Sequence, residues 1–281
     1  MNSFEGKAAF VTGGASGIGL ALARALAEAG TRVMIADIEE EALGKAVASL
    51  QGNLAEVRGV VCDVASAESV GRAAKAAIDA FGKIHVVCNN AGVGGSAGAE
   101  NVSLEDWRWV IDVNLMGVVH GVKTFVPHIK SHGEGGHIVN TASMAGFLGI
   151  GTGFGAYTAT KYAVVGISEA LAMELAPQNI GVSVLCPGWV NTKIIDSRRN
   201  WPKEYGEPPA RTLGPLADRI AELVRTGMEP ADVAALVMQA IRDGQFYVFT
   251  HPHMRPPLEE RFKNVLADYR KLGPAPGEKA P

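Results

Sequence analysis

Short apolar, β-branched runs alternate along this chain with longer stretches of helical periodicity. The runs Ala8–Thr12, Arg32–Ala36, Val57–Cys62, Ile84–Asn89, His137–Thr141, Val182–Leu185 and Phe246–Phe249 have the length and continuous apolar character of buried parallel strands. Between the first two, Gly17–Ala29 places Ile18, Leu22 and Leu26 on one helical face. Helical patterns recur over Glu39–Leu50, Ser66–Phe81, Leu104–His128, Tyr157–Leu175 and Pro230–Arg242. Such alternation predicts βαβ units and an α/β fold of the Rossmann type: a doubly wound parallel sheet of about seven strands with helices on both faces. No repeat or low-complexity linker divides the chain, so residues 1–271 are read as a single domain. Residues 191–228, rich in Pro, Gly and charge, are expected to form a mobile segment covering the substrate, with a helix over Pro215–Arg225. The Pro/Gly/Ala-rich end, 272–281, is expected to be a disordered tail.

Composition narrows the function classes. The 281 residues are 47% hydrophobic and 20% charged with a net charge of −3, the profile of a soluble globular protein. No basic patch with interleaved aromatics is present, so nucleic acid is not an expected partner. Cys62, Cys88 and Cys186 are scattered in apolar runs and read as buried free thiols of a cytoplasmic protein. His251 and His253 are the only close histidine pair and lack a Cys or carboxylate companion, so no metal site is expected. The N-terminus runs straight into a strand pattern, which leaves no room for a signal peptide. Gly135–Thr160 lacks Asp, Glu, Lys and Arg and is long enough to cross a membrane, but its glycines break it into strand, loop and helix start; no membrane partner is expected.

Chemistry enters through three patterns. Thr12-Gly-Gly-Ala-Ser-Gly-Ile-Gly19 follows the first strand and opens a helix. Glycines there permit a tight turn and let backbone N–H groups approach a pyrophosphate, although a plain turn uses the same residues. Asp37 ends the second strand 24 residues after Gly13, where a carboxylate accepts the hydroxyls of an adenosine ribose; capping the next helix is the alternative. That carboxylate would repel a 2′-phosphate, and no Arg or Lys within Gly13–Gly19 or directly after Asp37 offsets it, so NAD is preferred over NADP. Tyr157 and Lys161 lie one helical turn apart, on one face. A phenol beside a fixed ammonium loses its proton more easily than a free phenol, which suits general acid/base work on an alcohol or ketone; a solvated helix face gives the same spacing.

In this order, these motifs resemble the short-chain dehydrogenase/reductase family over nearly the whole chain, Gly6 to Phe249. The resemblance implies cofactor contacts from Gly13, Ser16, Gly17, Ile18 and Gly19, from Asp37, and from Asp63 and Val64 at the adenine. It adds Asn90, Ala91 and Gly92 after the fourth strand and Pro187, Gly188, Val190 and Thr192 beside the nicotinamide, with Tyr157 and Lys161 also on the cofactor. It implies catalytic roles for Asn114, Ser143, Tyr157 and Lys161: Tyr157 moves the hydroxyl proton, Ser143 holds the substrate oxygen, Lys161 holds the nicotinamide ribose, and Asn114 anchors a proton-relaying water. The expected reaction is hydride transfer between NAD and a secondary alcohol or ketone. Ser143 and Tyr157 stand 14 apart, often one more than in related chains, which bears on loop shape.

Apolar residues Phe147, Leu148, Ile150, Phe154, Trp189 and Ile194 near the expected site favour a hydrophobic or aromatic substrate, with Ser143, Phe147, Phe154 and Trp189 as its contacts. From Trp189 to Pro252 the chain resembles bacterial dehydrogenases that oxidise benzylic alcohols of aryl ethers. A hydroxysteroid or other ketone reductase using NADP is the alternative, and a catalytically silent dinucleotide sensor a further one. By the same resemblance the protein is a homo-oligomer, dimer or tetramer.

Overall fold

The computed structural model describes residues 1, 3–52, 54–95, 99–149, 154–208 and 215–272. One fully parallel sheet carries β1 (Ala8–Thr12), β2 (Arg32–Asp37), β3 (Val57–Val61), β4 (Val86–Asn89), β5 (Gly136–Thr141), β6 (Ile180–Cys186) and β7 (Tyr247–Phe249). Their spatial order is β3-β2-β1-β4-β5-β6-β7. The chain therefore builds outward from β1, returns, and builds outward again from β4. The crossovers that follow β1 and β4 run to opposite sides along the sheet, and this reversal opens a crevice at its C-terminal edge.

Alternate residues of each strand feed opposite layers. Val11, Ile35, Val86, Val139 and Leu185 meet α1 (Gly17–Glu28), α2 (Glu40–Ser49) and α8 (Pro230–Asp243) in one core. Phe10, Met34, Val87, Ile138 and Val182 meet α3 (Ala67–Phe81), α5 (Gly117–His132) and α6 (Gly155–Leu175) in the other. The doubly wound α/β expectation holds. One difference lies in the helix expected over Leu104–His128. It is α4 (Leu104–Ile111), a π-helical turn over Asp112–Met116, and α5. The pattern could not reveal this, because one inserted residue leaves the apolar spacing on either side intact.

Polar side chains close the N-terminal edge of the sheet. His85 Nδ1 accepts the Ala8 N–H at 3.2 Å, and its Nε2–H donates to Glu134 at 2.9 Å. His128 Nε2 accepts the Ile84 N–H at 3.1 Å, while His132 donates to the Ile84 carbonyl at 3.0 Å. Lys83 and Lys7 also bind Glu134. Burial lowers the pKa of His85 and of His128, which keeps both rings neutral, as their acceptor roles require.

Between β6 and α8 the chain makes the excursion that the sequence singles out. Val190 bridges Met228, with Met228 N–H on the Trp189 carbonyl and Asn191 N–H on the Met228 carbonyl, both at 2.9 Å, so the ends of the excursion are stapled. It contains a 3-10 helical stretch, Lys193–Asn200, and α7 (Pro215–Arg225), the helix expected there. Residues 1–250 form one compact unit, and a second begins at His251 and carries α9 (Arg255–Tyr269).

Candidate active site

The loops after β1, β4, β5 and β6 meet over the crevice. Gly13 has φ of +63°, and a Cβ there would lie 2.8 Å from the Ala91 Cα, so only glycine lets the first loop pass the fourth. Gly19 brings the first turn of α1 against the Gly13 carbonyl, leaving no room for a side chain. Ser16 is the N-cap residue of α1, yet its hydroxyl makes no capping bond and no acid lies in the first turn. The N–H groups of that turn are therefore free of side-chain caps, a fit for the pyrophosphate of a dinucleotide. Ile18 packs below, against the core.

Asp37 ends β2 facing this loop. Its carboxylate accepts the Ala15 N–H at 2.9 Å and the Glu39 N–H at 3.1 Å, tying the loop to β2; Glu39, not Asp37, is the N-cap residue of α2. Asp63 accepts the Ala65 N–H at 2.9 Å. Val64 is buried against Gly117 at the start of α5, so its side chain belongs to helix packing. Asn90 donates to the Thr12 carbonyl at 3.1 Å and accepts from Thr141 at 3.3 Å, locking the β1, β4 and β5 loops together. Thr12, at the head of the glycine motif, accepts the N–H groups of Asn90 and Ala91 at 2.9 and 3.1 Å. That knot falls within a motif the sequence shows, but Thr12 is not among the residues it singles out.

Four polar residues converge beside the crevice. Lys161, 3% exposed, donates from Nζ to the Thr141 carbonyl at 2.9 Å, and among the described residues no carboxylate pairs with it. Its Nζ lies 5.5 Å from the centre of the Tyr157 ring, and a Cβ on Gly92 would sit 3.7 Å from it. Ser143 hydrogen-bonds the Tyr157 phenol and accepts the Ala145 N–H at 3.1 Å. Its Oγ lies 3.4 Å from the Pro187 carbonyl, which also accepts the Met144 N–H. Asn114, in the π turn, clamps the Val93 backbone: Oδ1 accepts its N–H at 2.8 Å and Nδ2 donates to its carbonyl at 3.0 Å. A π turn at a polar, functional position is where such irregularities concentrate.

Electrostatics here differs from the reading of the sequence. Burial lowers the Lys161 ammonium to about 8, and burial also raises the Tyr157 phenol, with Ser143 pulling it the other way. The expected depression of the phenol by its neighbouring ammonium does not outweigh desolvation in the chain alone. Both groups are thus poised away from their solution behaviour, as proton-handling groups commonly are.

Of the expected substrate contacts, Phe154 lies 6.0 Å from the Tyr157 ring and 6.5 Å from Trp189 between ring centres. Phe147 differs: it is 8% exposed and packs on Tyr247 and Phe249 of β7 at 5.8 and 5.5 Å. Ile150 lies outside the described residues. Thr192 sits over Gly17, where a Cβ would come 2.9 Å from its methyl, so the excursion starts on the cofactor loop. From there it is fastened at points the sequence gives no hint of, since they join residues far apart. Gly94 N–H donates to Ser197 at 3.0 Å, Arg198 grips buried Asp106 at 2.7 and 2.9 Å, and Arg199 grips Glu39.

Comparison with known proteins bears on the family and the fold. The family model described as short chain dehydrogenase matches residues 7–203. The chain is 33% identical to the C alpha-dehydrogenase of a Sphingobium species, over 95% of this chain and 87% of that one. It is 37% identical to the 1-deoxy-11-beta-hydroxypentalenate dehydrogenase of Streptomyces exfoliatus, covering 97% and 93%. A solved short-chain dehydrogenase/reductase from Burkholderia phymatum, in complex with NAD, superposes with a TM-score of 0.91 at 38% identity, covering 100% of both chains. The family model spans most of the chain and these relatives nearly all of it, and this chain belongs to the short-chain dehydrogenase family of oxidoreductases.

Proposed function

We propose that the protein oxidises hydrophobic or aromatic secondary alcohols, benzylic ones included, with NAD+, and reduces the corresponding ketones. The observation that carries this reading is a buried ammonium with no carboxylate partner among the described residues, Lys161, held beside a phenol that shares a hydrogen bond with Ser143. Burying an ammonium unpaired is costly, and a fold retains it where it does chemistry. The bound nicotinamide would supply or accept the hydride. Tyr157, as the phenolate that the charge of Lys161 favours, takes the alcohol proton at its phenolic oxygen and becomes the neutral phenol. Ser143 hydrogen-bonds the substrate oxygen and fixes it against Tyr157. Asn114, by clamping Val93, keeps Gly92 beside Lys161 and holds the path by which that lysine regains its proton.

The ring of Phe154 beside Tyr157, with Trp189 against Phe154, supports an apolar or aromatic substrate, as does likeness to a C alpha-dehydrogenase. The carboxylate of Asp37 facing the glycine turn supports NAD over NADP. Three buried free thiols are in keeping with a reducing compartment, the cytoplasm. Exposed apolar residues support self-association: Tyr247 and Phe249 on edge strand β7, and Phe262, Val265, Leu266 and Tyr269 on α9. Turnover of a panel of secondary alcohols with NAD+ and with NADP+, followed at the NADH absorbance, tests the reading. Aryl carbinols with NAD+ should turn over fastest. Preference for sugars or hydroxy acids, or for NADP+, would overturn the corresponding part.

A further inference from the structure

Arg199 reaches across the crevice to the corner where Asp37 ends β2. Its Nε lies 3.0 and 3.1 Å from the two carboxylate oxygens of Glu39, and Nη2 lies 2.6 Å from Oε1; Asn200 Nδ2 donates to the same oxygen at 3.0 Å. Glu39 in turn gives its own N–H to Asp37 at 3.1 Å. One carboxylate thus stands between the acid expected at the adenosine ribose and an arginine from a segment 160 residues away. Residues 192–200 run from Thr192, over the glycine turn, to this corner, the span a dinucleotide's pyrophosphate and adenosine would cover.

A guanidinium fork at the ribose end is the group of choice for a phosphate monoester. Here the fork is already filled. We propose that Glu39 is a specificity-determining residue: by occupying Arg199 it denies a 2′-phosphate its natural partner and leaves Asp37 unopposed. This rests on the reading of NAD as the preferred cofactor. The ionised form of Glu39 is favoured mainly by Arg199 itself, with Asn200 and Lys193 adding to it. The segment does not depend on this pair to stay in place, because Arg198 remains on Asp106 and Ser197 on Gly94. Glu39→Gln therefore uncovers the guanidinium charge without unhooking the segment.

The test is a calorimetric titration of the cofactor-free protein with NAD+ and with NADP+, for the unmodified chain, Glu39→Gln, and Glu39→Gln with Arg199→Gln. Thermal melts confirm that all three fold. Glu39→Gln should shift the affinity ratio toward NADP+ by roughly tenfold, the effect of uncovering one nearby positive charge at a partly exposed site. The double variant should lose that gain. Equal weakening of both cofactors by Glu39→Gln, or a gain that survives removal of Arg199, would overturn the proposal. If the unmodified chain already binds NADP+ more tightly, the NAD reading fails, while the contrast between the two variants still reports on Glu39.

Discussion

At the N-terminal edge of the sheet, His85 and His132 each use both ring nitrogens, and Glu134 is held by two lysines and a histidine. At the C-terminal edge, Lys161 is as buried as His85 but, among the described residues, has a carbonyl and no carboxylate for its ammonium, and the phenol beside it is raised by the same loss of solvent. Both edges contain titrating groups displaced from their ordinary range. A perturbed pKa therefore does not by itself separate scaffold from site. The pairing does: at one edge each of these rings is matched to a backbone group in its neutral form, and at the other a charge is kept where, among the described residues, no carboxylate neutralises it.

From that contrast, the two edges should respond oppositely to mutation. The largest effect is expected from Tyr157→Phe, which should lower turnover by about a thousandfold or more while NADH binding, read by fluorescence titration, stays close to that of the unmodified chain. Turnover within tenfold would remove Tyr157 from the proton step. Lys161→Met should cost about a hundredfold in turnover without lowering the melting temperature, because it deletes an uncompensated buried charge. A marked loss of stability would mean that this lysine is scaffold. Opposite behaviour is expected of His85→Leu. It leaves the Ala8 N–H without its acceptor and should cost about 1–3 kcal/mol of unfolding free energy, with turnover of the folded fraction unchanged.

The smallest effect separates the edges by pH. His85 and His128 have native pKa values below the ordinary 6.5, so on acidification the unfolded chain takes up protons that the native state refuses. Stability should be kept above about pH 6.5 and fall as the pH drops below it. Lys7, Lys83, Glu134 and His132 surround these rings; the lysines oppose further positive charge, and Glu134 stays ionised throughout, its pKa lowered to about 2 chiefly by Lys83. Denaturant midpoints at pH 7.5 and 5.5 would check this, and a rise on acidification would contradict it.

Strands and helices were legible because a parallel sheet covered on both faces demands continuous apolar runs, and its crossovers demand a 3.6-residue period. Glycine positions in the first loop were legible because close approach of backbones leaves no choice of residue. Less legible was everything decided by pairs distant in sequence. Arg198 and Arg199 look alike in a polar stretch, yet one serves Asp106 and the other Glu39. Phe147 and Phe154 look equally suited to a pocket, yet Phe147 turns to the β7 aromatics because that strand ends beside it. The state of Tyr157 was misjudged for a related reason: a charge four residues away is visible in the sequence, whereas depth of burial is not.

The π turn at Asp112–Met116 has a consequence for chain length. It holds one residue more than a continuous α-helix would place there, and that surplus residue sets the phase between α4 and α5. Deleting any one of the five would let the two helices fuse into a more regular one. Everything beyond would then turn by about 100° about the helix axis, swinging Phe125 and Ile129 away from the sheet or Asn114 away from Val93. The shortened chain would be a better helix and no longer a dehydrogenase. At this point in the fold, counting residues matters more than which residues are counted.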